Sequence, residues 1–79
     1  MVERDIVLLN LESVKSFVAL SNEQPFDVDV SCGKYIVNAK SLMGIFSLDL
    51  TKTLHVTAYC DESDDFTTKL IPYVHTAGN

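Results

Sequence analysis

At 79 residues the chain has room for one small domain, and a domain of that size buries only about 60% of the surface its unfolded chain exposes. Its 47% hydrophobic and 22% charged residues suit a packed core and exclude a disordered chain. A net charge of −5 with no basic stripe excludes nucleic acid and disfavours anionic membrane surfaces, because both present phosphates that must be met by cations.

Residues 1–5 carry no basic segment followed by an apolar stretch, so no signal peptide is expected. The longest apolar run is too short to cross a bilayer, so no membrane insertion is expected either. Two cysteines, Cys32 and Cys60, are too few for a disulfide framework. They lie far apart without a Cys or His cluster near them, so they make no zinc site. Reduced thiols in a soluble cytoplasmic protein are the expectation.

In chain order, Ile6-Val7-Leu8-Leu9 is a short apolar run that predicts a buried strand. Asn10 follows as a helix N-cap, since its side-chain oxygen can accept an orphan backbone N–H. Leu11, Val14, Phe17 and Val18 recur at helical spacing and predict a helix over residues 11–21. Phe26, Val28 and Val30 alternate with Asp27, Asp29 and Ser31, the pattern of a strand with one wet face. Ser31-Cys32-Gly33-Lys34 then predicts a tight hairpin turn, and Tyr35-Ile36-Val37 the return strand.

Residues 41–48 are apolar and too short for period to decide their state. Ser41 as N-cap favours a short helix. Leu54, Val56, Ala58 and Cys60 alternate with His55, Thr57 and Tyr59 and predict a fourth strand. The acidic run 61–65 suits the positive end of a helix dipole, and Phe66, Leu70, Tyr73 and Val74 continue at helical spacing. Pro72 is expected to distort that helix in its last turn. The order β-α-β-β-α-β-α predicts an α+β fold, with helices packed on one face of an antiparallel sheet.

This order, and the residues themselves, resemble HPr, the phosphocarrier of the bacterial sugar phosphotransferase system. The run Val37-Asn38-Ala39-Lys40-Ser41-Leu42-Met43-Gly44-Ile45-Phe46-Ser47-Leu48 resembles that family's regulatory-serine segment almost residue for residue. Ser31-Cys32-Gly33-Lys34 resembles its Ser-Asn-Gly-Lys hairpin, and Val56-Thr57 with the acidic start of the last helix also match. The resemblance implies an open-faced β-sandwich: a four-stranded antiparallel sheet with helices on one face, one domain over 1–79.

The family's carrier histidine sits in a Gly-Leu-His loop after the first strand, followed by an Arg-Pro pair. Here Leu9-Asn10 runs directly into Leu11-Glu12-Ser13, and the loop is several residues short. Asn10, Leu11, Glu12 and Ser13 therefore form a degenerate carrier site. Phosphate transfer needs an imidazole nitrogen at a helix N-terminus and a cation to hold the phosphate. Asn10 cannot carry phosphate in that way, and Glu12, aligned with the arginine, repels it. His55, mid-strand and facing outward, and His75, near the C-terminus, have no base or cation beside them in sequence and are expected to be solvated surface residues.

The resemblance implies that Ser41 corresponds to the serine phosphorylated by HPr kinase, and that Leu42, Met43, Ile45 and Phe46 form a docking surface. Among the helix's apolar residues, Leu42 and Leu48 are expected in the core and Met43 and Phe46 at the contact. The acidic run 61–65 lacks the central glycine and final glutamate of a calcium loop. The expectation is a regulatory or docking protein, not an enzyme, with no metal or cofactor. Its expected partners are phosphotransferase components, HPr kinase or a transcriptional regulator, and its expected state a monomer or weak dimer. Two alternatives stay open: a phosphocarrier with a non-standard site, and a scaffold use of the same fold.

Overall fold

The computed structural model describes residues 1–74. His75 lies outside the described residues. In chain order the elements are β1 (Val2–Ile6), α1 (Leu11–Asn22), β2 (Val28–Cys32), β3 (Tyr35–Asn38), α2 (Leu42–Phe46), β4 (Leu54–Ala58) and α3 (Asp65–Leu70), closed by a 3₁₀ turn (Ile71–Tyr73). The strands form one sheet in the order β1-β4-β2-β3, antiparallel throughout.

The first strand lies four residues earlier than the apolar run 6–9 suggests. Alternation explains the shift: Val2 and Ile6 are fully buried while Glu3 and Asp5 face out. Pairing with β4 ends at Ile6↔Leu54, where β4 itself begins. Leu8 continues the inward alternation and stays buried, but Leu9, expected in the strand, is 83% exposed.

Helix α1 buries Val14, Phe17, Val18 and Ser21, a stripe at the spacing of one helical face. Leu11, expected on that stripe, is exposed. The buried Ser21 hydroxyl donates to the Phe17 carbonyl at 2.9 Å, so its polarity is satisfied inside the helix. Gly33 joins β2 to β3 with φ of 60°, the only positive φ among the described residues. That value at the first loop residue between Cys32 and Tyr35 is the mark of a type II′ hairpin.

Asp64 caps α3 through the Phe66 N–H at 2.9 Å, and Pro72 converts the end of that segment to the 3₁₀ turn. Inward residues of the sheet (Val2, Ile6, Val28, Val30, Leu54, Val56) and helix residues Phe17, Ile45, Phe66 and Leu70 make one core. The other face of the sheet carries Glu3, Asp5, Asp29, Ser31, His55 and Thr57, paired across strands. Cys32 and Cys60 are free thiols.

Candidate functional site

The start of α1 is closed by a reciprocal cap. Asn10 Oδ1 accepts the Ser13 N–H at 2.9 Å, and Ser13 Oγ accepts the Asn10 N–H at 3.1 Å. Ser13, expected only as helix surface, thus completes a capping box, and its hydroxyl also donates to the Asn10 carbonyl at 2.8 Å. The preceding turn is tied down by the Val7 N–H on the Tyr73 carbonyl at 2.9 Å. Asn10→Ala should therefore cost about 1 kcal/mol of stability, read from urea unfolding, with Asn10→Asp close to wild type. An equal loss for both would assign Asn10 another role.

Asn10 and Leu11 also border a shallow pocket of about 290 Å³, together with Leu8, Leu9, Val14, Phe46, Leu50 and Thr51. No Lys, Arg or His lines it. Glu12 is exposed in the first turn of α1, and the N–H of Ser13 is already occupied by Asn10. An anion here would meet an acid and a filled cap instead of a cation and free N–H groups. The arrangement suits an apolar guest.

Helix α2 forms the other wall. Ser41 is exposed, and its Oγ accepts the Gly44 N–H at 3.0 Å. The segment leading to it is pinned: Asn38 Oδ1 accepts the Lys40 N–H at 2.8 Å, Asn22 Nδ2 donates to the Lys40 carbonyl at 3.0 Å, and Lys40 Nζ reaches the Gln24 carbonyl at 2.9 Å. Gly44 lets the helix sit close on β3, because a Cβ there would lie 3.3 Å from the Val37 Cβ and 3.2 Å from Ser41 Oγ.

This seating decides which apolar side chains face out. Met43 is 84% exposed and Phe46 47%, as expected of contact residues. Ile45, expected on the docking surface, is fully buried and belongs to the core. Leu42, expected in the core, is 38% exposed, while Leu48 is buried as expected. Exposed apolar side chains of the shortened turn, α1 and α2 are Leu9, Leu11, Leu42, Met43 and Phe46; Met1, Tyr35, Ile36, Tyr59 and Ile71 are exposed elsewhere on the molecule.

His55 differs from its expectation. Its Nδ1 lies 2.9 Å from Asp5 Oδ1 and its Nε2 lies 2.9 Å from Glu3 Oε1, so it sits between two carboxylates on the open face. Hydrogen bonding to Asp5, then to Glu3, raises its pKa above the ordinary histidine value. Carboxylates on both ring nitrogens leave no free nitrogen to receive a phosphate and would repel one. Nothing near His55 in sequence announces this. Both partners lie some fifty residues away, and only the β1–β4 register joins them.

No protein-family model matches the sequence, and no curated protein matches it. Solved structures do. The chain is similar to HPr-C-His from Thermoanaerobacter tengcongensis, at 25% identity and a TM-score of 0.76, over 91% of this chain and 89% of that one. It is also similar to the phosphocarrier protein HPr from Bacillus anthracis str. Ames, at 24% identity and a TM-score of 0.71, over 94% and 96%. The fold is that of HPr.

Within the HPr fold the structure brings Asn10 and Leu11 to one pocket with Phe46 of α2. Ser41 caps the opposite end of the same helix and does not line the pocket. Leu9 and Leu50 belong to that pocket and were missed in the sequence. No local signal announced the exposure of Leu9, since an apolar residue just before an N-cap more often packs against the fourth helical residue, here Val14.

Proposed function

We propose that this chain is a protein-docking, regulatory variant of the HPr fold and not a phosphate carrier or an enzyme. The observation that carries the reading is the exposed apolar set of Leu9, Leu11 and Phe46 around a pocket without a cation where a carrier site would need one, with Met43 exposed on the same helix as Phe46. Exposed apolar clusters of this kind mark partner surfaces on small soluble domains. Met43 brings the adaptable packing that suits such a contact.

The partner in this reading is a phosphotransferase component or a transcriptional regulator, met in the cytoplasm. Among the described residues no helix is long and apolar enough to cross a membrane, which agrees with that setting. Ser41, exposed at the N-cap of α2, is the point of control in this reading. A phosphate on its Oγ would put about two negative charges beside Met43 and the Gly44 N–H, and would change which partner the surface accepts.

Intact-protein mass spectrometry after incubation with HPr kinase and ATP tests this. One phosphate on Ser41, absent from Ser41→Ala, is the expected result. No phosphate from a kinase active on ordinary HPr would remove Ser41 as the point of control. Transfer of phosphate from phosphoenolpyruvate through enzyme I onto any residue would overturn the non-carrier reading.

A further inference from the structure

The open face of the sheet carries a group of titratable side chains that the docking surface does not use. His55 of β4 stands opposite Asp5 of β1 and Ser31 of β2 in the strand register. Glu3 and Asp5 reach it from β1, each at 2.9 Å and each on a different ring nitrogen. From β2 it faces the uncharged Ser31, and the next charged group on that side is Asp29, whose carboxylate accepts the Tyr59 hydroxyl at 3.2 Å. The four strands contain no lysine and one arginine, Arg4, which occupies the opposite face by alternation and pairs with Glu62 at 2.9 Å. His55 is therefore the one strand residue able to offset Glu3, Asp5 and Asp29 on this face.

Proton counting makes the geometry informative. A neutral imidazole has one N–H, whereas two carboxylate acceptors on opposite nitrogens call for two. Only the imidazolium satisfies both contacts. When it loses its proton, one bond survives and the other becomes a lone pair facing a carboxylate. We propose that Glu3, Asp5 and His55 form a proton-controlled clasp that fastens β1 to β4, closed when the imidazole is charged and half-released when it is neutral. The clasp lies one register position from Ile6↔Leu54, where β1 leaves the sheet toward Leu8 and Leu9.

The direction of the pH effect follows. The folded-state pKa of His55 is raised above its unfolded value of about 6.5. The clasp's stabilisation is thus fully present below that value and is lost as pH rises through the higher folded one. The side chains are 42%, 56% and 62% exposed for His55, Glu3 and Asp5, so water and salt screen the clasp and keep its effect modest.

NMR titration of the histidine ring nitrogens, with urea unfolding at about pH 5.5 and about pH 9 on either side of the ordinary value, tests the clasp. The His55 signals, assigned by their loss in His55→Gln, should titrate above about 6.5. The midpoint should fall back to that value in Glu3→Gln combined with Asp5→Asn. His55→Gln should unfold at lower urea than wild type at the acid pH and at nearly the same urea at the alkaline one. A wild-type midpoint at or below about 6.5, or a stability difference that does not change with pH, would overturn the clasp.

Discussion

Phe17→Ala should remove about 3–5 kcal/mol of folding free energy, among the largest single effects expected in this chain. Phe17 is fully buried on α1, and its ring meets Tyr73 edge to face with centroids 5.6 Å apart. Tyr73 is in turn bonded through its hydroxyl to Ser16, and its carbonyl accepts the Val7 N–H. Deleting the ring therefore opens a cavity and also loosens the 3₁₀ turn from α1 and from the end of β1. Small domains have folding free energies near the lower end of about 5–15 kcal/mol, so a large fraction of the variant should be unfolded in buffer. Circular dichroism with urea titration measures this. A loss below about 1 kcal/mol would mean that the Phe17–Tyr73 contact is not part of the folded core.

The second large effect separates two neighbours on α2. Ile45→Ala should cost about 2–5 kcal/mol, because Ile45 is fully buried and its removal leaves a void under a helix of only five residues. Met43→Ala should stay within about 0.5 kcal/mol of wild type, since Met43 is almost wholly in water. Partner affinity should behave in the opposite sense, with Met43→Ala weakening binding in a folded protein. Equal stability losses at the two positions would place the wrong face of α2 against the sheet.

These two residues also mark where sequence reasoning reached its limit. Ser41 as N-cap located the helix, but a helix of five residues has too few turns for its apolar side to be read from spacing. Leu42, Met43, Ile45 and Phe46 are all apolar, so composition cannot orient them. What orients them is the close approach of Gly44 to Val37 on β3, a contact that exists only once the sheet has formed. The alternating strands β2 and β4, the Gly33 hairpin and the Asn10 cap were legible because each is a local rule satisfied by adjacent residues. The first strand was misplaced for the converse reason. Arg4 interrupts the apolar alternation of Val2 and Ile6, and the continuous run that follows imitates a strand better than the strand itself does. His55 needed the β1–β4 register, a non-local fact.

The fastening of α2 has a consequence for how a partner would meet it. Asn38, Asn22 and Gln24 hold the chain just before the helix, Ser41 caps its first turn, and Gly44 seats it on β3. Such a surface is preorganised in its backbone: little backbone entropy remains to be lost when Met43 and Phe46 are covered, so the ordering cost is confined to the side chains, Met43 above all. The same rigidity limits what a charge added at Ser41 can do. It would alter the electrostatic field a partner encounters while leaving the shape nearly unchanged.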